Sequence, residues 1–257
     1  MRQGELLFLG TGGSMGVPVV ACSCSVCRSS DLRNKRLRVA ALLKVGGKQF
    51  LIDAGPDFRV QALTYGITHL DGLLLTHPHF DHIGGIDDLR VFNFFQKKTL
   101  PCLLSQESLD VIKTCHSYFF EDGEQERFRF QVLPQEEGAI EFEGIKWQYM
   151  SFLQKKDKVT GYRLGNIAYI LDIRTFSEKI FQRLQGVDIL VLSALRYESS
   201  PSHFSIEEAI EFAKKVGAKQ TWLSHVAHEV DYEEGSRILP PNIHFAYDGL
   251  EVKFYAD

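Results

Sequence analysis

The chain has 257 residues, of which 44% are apolar and 24% are charged, as expected of a globular protein with a large core. Its net charge of −4, from 33 acidic and 29 basic residues, argues against an extended nucleic-acid interface, because such interfaces need clustered Lys and Arg. Its apolar stretches fall short of the ~20 residues that span a bilayer and of a signal peptide, so we expect a cytoplasmic protein with no membrane partner.

Apolar runs separated by Gly-rich turns predict an alternation of strands and helices. In chain order, the predicted strands cover residues 5–9, 37–45, 48–52, 72–75, 162–164, 167–171, 188–192, 220–223, 243–246 and 250–255. Residues 140–150 are predicted as a hairpin that turns at 143–144. The predicted helices cover residues 57–65, 82–96, 105–119, 176–184 and 205–216. Strands followed by helices therefore occur twice. This order predicts an α/β fold in a single domain, residues 1–257, with two similar halves, sheets inside and helices on both outer faces.

A cluster of potential metal ligands follows the predicted strand 72–75. His77, His79, Asp81 and His82 lie within six residues, and imidazole and carboxylate groups are the usual ligands of zinc and manganese. In an extended segment residues i and i+2 point to the same face, so His77 and His79 are predicted to bind one ion. Asp81 and His82 would then face a second. The alternative, histidines exposed at the start of a helix, suits a single His better than this group.

Three of the five cysteines, Cys22, Cys24 and Cys27, are also crowded into six residues. An odd number of cysteines in a chain expected to be cytoplasmic argues against a disulfide framework, whereas the close spacing favours a closed tetrahedral zinc site. His228, three residues beyond His225, is the best candidate for the fourth ligand. The alternative is a group of reduced thiols without a metal.

The His-x-His-x-Asp-His segment resembles the signature of the metallo-β-lactamase superfamily, and the resemblance extends over nearly the whole chain. It implies a four-layer αββα sandwich with a catalytic metal centre. Residues 50–55 resemble the family's strand that ends in Asp-x-Gly, so Asp53 is expected to orient a metal-ligand His. By the same resemblance Asp172 is expected to bridge two metals, and His225 is expected to complete the second metal site.

Further motifs resemble one subgroup, the phosphodiesterase that accompanies the carbon–phosphorus lyase pathway and acts on a cyclic ribose phosphate. These motifs are the Gly-rich loop at 10–14, the cysteine cluster, the Ser-His-x-x-His at 224–228 and the Asp-Gly at 248–249. Proteins of the pyrroloquinoline-quinone pathway share parts of the pattern. The resemblance implies a structural Zn²⁺ on the cysteines and one or two catalytic ions, Mn²⁺ or Zn²⁺.

The same resemblance implies two catalytic residues. His203 lies just before a predicted helix and would donate a proton to the leaving group or hold a phosphate oxygen. Asp81 would contribute to catalysis as well as to metal binding. The alternative for His203 is a residue near a helix start with no catalytic role.

The chain departs from the subgroup between residues 151 and 160, where another His is expected to complete the first metal site. The segment has no His, although Gln154 or Asp157 would offer an oxygen ligand. Three consequences are open: weaker binding of the first metal, an enzyme with one metal, or a fold that has lost catalysis. The positive residues Lys155, Lys156 and Lys158 of this segment are expected to point outward into solvent.

Five basic residues lie close together between positions 28 and 38, namely Arg28, Arg33, Lys35, Arg36 and Arg38. A solvated loop is the favoured interpretation, and a rim that attracts an anionic substrate is the alternative.

The remaining His and Cys residues lack ligand spacing. His69, His116 and His244 are expected on the surface or on helices, and Cys102 is expected in the core. Cys115 and His116 are not a catalytic pair, because sequence neighbours on a helix point apart.

These patterns predict a metal-dependent phosphodiesterase for a small or cyclic phosphodiester, such as a phosphoribosyl cyclic phosphate, in which a metal-bound hydroxide attacks phosphorus. Two alternatives remain open. One is a non-catalytic protein that binds a phosphate-bearing ligand at a depleted metal site. The other is an RNA-processing nuclease of the same fold, which the acidic net charge disfavours. The expected partner is a small phosphorylated substrate; nucleic acid is not expected, and a homodimer is left open.

Overall fold

The computed structural model describes residues 2–120 and 127–256 of the chain. The α-helices in these residues are α1 (Ser25–Arg28), α2 (Phe58–Thr64), α3 (Phe80–Ile83), α4 (Arg90–Gln96), α5 (Gln106–Cys115), α6 (Ile180–Arg183), α7 (Ile206–Val216) and α8 (Tyr232–Ser236). Short 3-10 helices cover Leu32–Asn34, Ile86–Leu89 and Ser117–Phe120. The strands are β1 (Arg2–Gly10), β2 (Ala40–Val45), β3 (Lys48–Ile52), β4 (Gly72–Leu74), β5 (Leu100–Leu104), β6 (Phe128–Val132), β7 (Glu137–Phe142), β8 (Ile145–Gln154), β9 (Asp157–Leu164), β10 (Ile167–Ile170), β11 (Ile189–Ser193), β12 (Gln220–Ser224), β13 (Ile243–Phe245) and β14 (Glu251–Ala256).

The strands form two seven-stranded sheets, in the orders β14-β1-β2-β3-β4-β5-β6 and β13-β12-β11-β10-β9-β8-β7. Each sheet has three antiparallel pairs at one side and three parallel pairs at the other. The two halves therefore repeat one topology, as the sequence predicts. In both halves the parallel strands bring their carboxyl ends to one edge, which is where open α/β sheets bind ligands.

Alternation along the strands separates the core into layers. On β1, Leu6 and Phe8 face a cluster that both sheets share, whereas Leu7 and Leu9 face the helices that cover the first sheet. On β11, Val191 faces the other sheet and Leu190 faces the helices of the second half. Helices, sheet, sheet and helices are thus stacked in four layers, which confirms the predicted αββα sandwich.

The structure corrects the single helix predicted for residues 82–96. In its place α3, a 3-10 helix and α4 follow one another, with Gly84 and Gly85 after α3. A Cβ on Gly85 would lie 2.1 Å from the carbonyl oxygen of Gly55, so the chain passes directly against the segment that follows β3. The helical spacing of the apolar residues in this segment is correct, since most of it is helical. The backbone contact nevertheless ends the first helix early and holds α3 at the edge of the sheet.

Another predicted helix, residues 176–184, is reduced to α6 because a turn precedes it. The Ser177 carbonyl accepts a hydrogen bond from the N–H of Ile180 at 2.9 Å, and its hydroxyl accepts one from Lys179 at 3.3 Å. Such local bonds compete with the helix. Residues 105–119 also divide, into α5 and a 3-10 helix.

Three strands and a hairpin turn were not predicted in their observed form. Strands β5 and β6 were missed, and β9 begins at Asp157, well before the predicted residue 162. β8 turns into β9 through Lys155, whose φ of 52° is unusual for a residue other than Gly, Asn or Asp. The turn has no glycine or asparagine to reveal it in the sequence. The strands on either side of 248–249 belong to different sheets.

Among the described residues, no helix is both long enough and apolar enough to cross a membrane.

Candidate metal centre

The predicted ligands meet where the parallel strands of both sheets end. Asp53 follows β3, and the segment from Thr76 to His82 follows β4 in the first sheet. Asp172 and His225 follow β10 and β12 in the second sheet. Residues distant in sequence are therefore brought together by the repeated topology of the two halves.

The backbone at these strand ends is strained. Asp53, Asp172 and His225 have φ angles of 62°, 53° and 60°, in the left-handed region that residues other than Gly seldom adopt. Such conformations persist when surrounding contacts enforce them, and they cluster at functional sites. The strain turns each of these three side chains away from its strand and toward the centre.

Four side chains form a compact donor set. His82 Nε2 lies 2.8 Å from Asp172 Oδ2 and 3.5 Å from Asp81 Oδ2. His225 Nε2 lies 3.4 Å from Asp81 Oδ2 and 3.3 Å from Asp172 Oδ1. The ligand atoms of a tetrahedral N/O zinc site are about 3.4 Å apart, as metal–ligand distances near 2.1 Å require. The ligand atoms of Asp81, His82 and His225 all lie within 4.8 Å of one another, and Asp172 forms further such groups with His82 and with His225. The spacing and residue types therefore fit a divalent cation.

Hydrogen bonding to Asp53 fixes the orientation of His82. His82 Nδ1 lies 2.7 Å from Asp53 Oδ2, and the Thr76 hydroxyl donates to the same oxygen at 2.8 Å. His82 therefore turns Nε2 toward the oxygens of Asp172. Burial lowers the pKa of His82, but the charge of Asp53 and the contacts with Asp172 and Asp81 outweigh it and raise that pKa well above its usual value. His82 Nε2 and both Asp172 oxygens are buried and have no hydrogen-bond partner in the described chain. A proton or a metal ion must separate these acceptors.

The electrostatics of the centre suit metal binding. Burial lowers the pKa of His77 well below its usual value, and the nearby His82 lowers it further, which favours the neutral imidazole that metals bind. Burial opposes ionisation of Asp172, but the charge of His225 and the close contact with His203 outweigh it and hold the pKa of Asp172 well below its usual range.

A second donor group is less complete. His77 Nε2 lies 2.9 Å from His79 Nδ1 and 3.6 Å from Asp172 Oδ2. Neither of the predicted substitutes in the 151–160 segment completes this set. Asp157 contacts the far side of the imidazole, with Oδ2 at 3.3 Å from His79 Nε2. The side-chain nitrogen of the buried Gln154 contacts the His203 ring at 3.2 Å.

His203 borders the centre and is partly accessible. Its Nδ1 lies 3.0 Å from Asp172 Oδ1, and its ring stacks on that of His225 with centroids 4.9 Å apart. Its side chain is 14% exposed, whereas those of Asp172 and His225 are 0% and 2% exposed. His203 is thus placed between the buried donors and the cavity that it also lines.

The cysteine cluster meets His228 as the sequence predicts. Its Nδ1 lies 3.3 Å from Cys22 Sγ, 3.5 Å from Cys24 Sγ and 3.7 Å from Cys27 Sγ. About 3.5 Å is expected between S and N atoms that share one tetrahedral zinc. Hydrogen bonds from the Cys27 backbone and from His228 lower the pKa of Cys24 to about 6, which favours a thiolate. The set fits a closed zinc site.

Arg36 connects this cysteine site to the main centre. Its guanidinium donates to the carbonyl oxygens of Ala227 and Val230 and is 1% exposed. These bonds hold the loop that runs from His225 to His228 and beyond. Neither interpretation of the basic cluster at 28–38 foresaw this buried structural role.

Two other basic residues of that cluster form ion pairs with neighbours. Arg33 pairs with Asp31 at 2.7 Å, and Arg38 pairs with Asp57 at 2.6 Å. In the 151–160 segment, Lys158 pairs with Glu107 and Glu136, outside the centre.

The remaining His and Cys residues lie outside both donor groups. The His116 ring stacks on Phe119, and the His244 ring packs on Trp222. Cys102 is fully buried in the core of the first half. His69 lines a separate surface cavity.

Comparison with known proteins agrees with this geometry. The model of the β-lactamase superfamily domain matches residues 48–226, which is most of the chain. The chain belongs to the metallo-β-lactamase superfamily. The predicted family and fold are confirmed.

Individual relatives cover the chain from end to end. A solved diphosphatase of the PhnP family is 36% identical, with a TM-score of 0.93 over 99% of this chain and 98% of that one. An octanoyltransferase of Porphyromonas gingivalis is 36% identical over 251 residues, 96% of this chain and 51% of that protein, so the chain spans about half its length. A ribonuclease Z of Agathobacter rectalis is 22% identical over 323 residues, 98% of this chain and 99% of that protein.

The two donor sites should lose their metals independently. We expect Cys24→Ser to lose about one zinc per chain and to keep the ions of the main centre, because the ligands of the two sites are separate. His82→Ala should do the reverse. Elemental analysis of protein purified without chelator measures both. Loss of all metal from either variant would contradict two independent sites.

Proposed function

We propose that the protein hydrolyses a small molecule at a phosphorus atom flanked by two bridging oxygens. Phosphodiesters, cyclic phosphodiesters and diphosphate esters share this group. The observation that carries the proposal is the buried donor set around Asp172 with His203 at its accessible edge. The diphosphatase, 36% identical over nearly the whole chain, supports phosphorus as the reacting atom.

The donors would hold up to two divalent ions, Mn²⁺ or Zn²⁺. Asp81, His82, His225 and Asp172 would bind one ion, and His77, His79 and Asp172 the other. Bound there, the ions would supply an activated water and neutralise charge on the phosphate. Asp53 would keep His82 in the tautomer that leaves Nε2 free for the metal.

His203 would transfer a proton to the leaving oxygen. The contact of its Nδ1 with Asp172 orients the ring, while the cavity gives it access to the substrate. The side-chain nitrogen of Gln154 lies 3.4 Å from Nδ1 and 3.2 Å from Nε2 of the same ring and would fix its position. The leaving oxygen would therefore depart on the cavity side of the centre.

The incomplete donor set at His77 and His79 has a consequence for metal binding. This position has three protein donors, whereas the position at His82 and His225 has four. Because Gln154 and Asp157 are directed to other partners, the first ion would bind more weakly than the second. Of the three consequences left open by the sequence, weaker binding of the first metal is favoured.

Replacing Gln154 should strengthen the weak position. In Gln154→His we expect the weaker Mn²⁺ of the centre to bind about tenfold more tightly, because an imidazole would add a donor there. Calorimetric titration of chelator-treated, zinc-reconstituted protein measures the two affinities. Gln148→His, on the exposed face of the same strand, is the matched control. Two equal sites in the wild type would contradict the asymmetry.

Activity itself is tested with bis(p-nitrophenyl) phosphate in the presence of Mn²⁺ or Zn²⁺. We expect the wild type to release nitrophenol, and His225→Ala to lower kcat/KM by about 100-fold or more, because a ligand of the four-donor position is lost. His69→Ala, a histidine outside the centre, should retain activity.

The two alternatives give different outcomes in the same assay. Binding of a phosphate-bearing ligand without turnover at saturating metal would favour a non-catalytic binding protein. Cleavage of a precursor tRNA with no activity on small esters would favour a nuclease like the ribonuclease Z relative. Turnover that survives His225→Ala would contradict the proposed centre.

A further inference from the structure

The loop between β11 and α7 carries two side chains that line one cavity. His203 lies at its inner end, and Arg196 contributes to its wall together with residues 13–16 of the Gly-rich loop. The cavity has a volume of about 80 Å³, and a single water needs on the order of 10–15 Å³ by the same measure. It therefore admits a group of the size of a phosphate directly beside the metal centre.

The guanidinium of Arg196 is only weakly engaged. Its one polar contact in the described chain is an ion pair from NH1 to Glu229 Oε1 at 3.4 Å, longer than a strong charge-assisted hydrogen bond. Its Nε is buried and has no partner. Both side chains of the pair remain about a third exposed, so the pair itself contributes little to stability. Arg33 and Arg38, by contrast, pair at 2.7 and 2.6 Å.

The backbone around Arg196 is fixed although its head group is not. Its carbonyl accepts a hydrogen bond from the Ile206 N–H at 2.9 Å, and the preceding Leu195 exchanges bonds with Phe204 and Ala227. The arginine is thereby held on the same rigid loop as His203. A fixed backbone with a weakly paired guanidinium is the arrangement expected for recognition of an anion.

We propose that Arg196 binds the second, non-reacting phosphate of a diphosphate ester and so selects this substrate class over simple phosphodiesters. The inference rests on the proposed function, because it assumes that the reacting phosphate occupies the metal centre. The leaving group departs past His203 into the cavity that Arg196 lines. A leaving group that is itself a phosphate would therefore meet the guanidinium, and a neutral one would not.

Glu229 limits this interaction in the free protein. Its carboxylate faces Arg196 at 3.4 Å and His228 Nε2 at 3.9 Å. An incoming phosphate would compete with it for the same guanidinium. The Glu229 carboxylate also repels a second anion in this cavity unless Arg196 turns toward that anion. The loss of Glu229 and the loss of Arg196 should therefore change selectivity in opposite directions.

The experiment compares two substrates on the Mn²⁺-loaded enzyme: ADP-ribose, whose two phosphates are both charged, and bis(p-nitrophenyl) phosphate, which has one. Selectivity is the ratio of their kcat/KM values. In Arg196→Gln we expect this ratio to fall roughly tenfold to hundredfold, chiefly through KM for ADP-ribose, because a charge-assisted contact is lost. Arg196→Lys should recover part of the ratio, and Glu229→Gln should raise it.

Arg237→Gln is the control for removal of one positive charge, because Arg237 is exposed and pairs with Glu233 within α8 and its cap. It should leave both kcat/KM values as in the wild type. An equal fall for both substrates in Arg196→Gln, or an unchanged ratio, would overturn the proposal. Wild-type hydrolysis of the nitrophenyl ester without hydrolysis of ADP-ribose would also overturn it, while leaving the proposed function standing. Hydrolysis of neither substrate would refute both.

Discussion

The buried carboxylate of Asp172 is the constraint on which the rest of the site depends. It is fully inaccessible, and side-chain nitrogens of His82, His203 and His225 approach it to 2.8, 3.0 and 3.3 Å. An ionised carboxylate in such a place costs several kcal/mol unless charge and hydrogen bonds compensate it. The surrounding histidines therefore serve stability as well as chemistry, and a divalent cation would satisfy the carboxylate more completely than they can.

The position of this carboxylate follows from the duplicated topology. Each half ends its parallel strands at the same edge, and packing the two sheets face to face brings the edges together. Asp53 and Asp172 follow corresponding strands, β3 and β10, with nearly the same left-handed φ. In one half this aspartate orients a histidine, and in the other it lies among the donors. The same left-handed aspartate at the end of a strand thus orients a histidine in one half and contributes a donor in the other.

The segment around the cysteine site helps to hold the loop that carries His225. Arg36 donates to the carbonyls of Ala227 and Val230, and the N–H of Val226 donates to the Thr11 carbonyl at 2.9 Å. The loop after His225 is therefore held by the Gly-rich loop on one side and by Arg36 on the other. This support stabilises the strained φ of His225, so the cysteine cluster and Arg36 help to position a donor of the main centre.

Much of this site was accessible from the sequence. The spacing from His77 to His82 predicted the donors, and the crowded cysteines predicted the second site, because both patterns are local. The resemblance added Asp172 and His225, which the topology alone brings close.

What the sequence missed depends on tertiary contacts. The break after α3 arises from the contact of Gly85 with Gly55. The burial of Arg36 depends on carbonyl groups nearly 200 residues away. Likewise, the approach of Gln154 to His203 depends on a β8–β9 turn that lacks a turn residue. No periodicity or motif in the sequence encodes these contacts.

The most direct test of the central claim is the location of metal ions in crystals of the Mn²⁺-loaded protein. Anomalous scattering measured at energies that distinguish manganese from zinc locates each ion without reference to activity. The account predicts zinc among Cys22, Cys24, Cys27 and His228, and a well-occupied ion between Asp81, His82, Asp172 and His225. It predicts a weaker peak beside His77 and His79. Absence of any peak at the Asp172 centre, with the cysteine site filled, would contradict it.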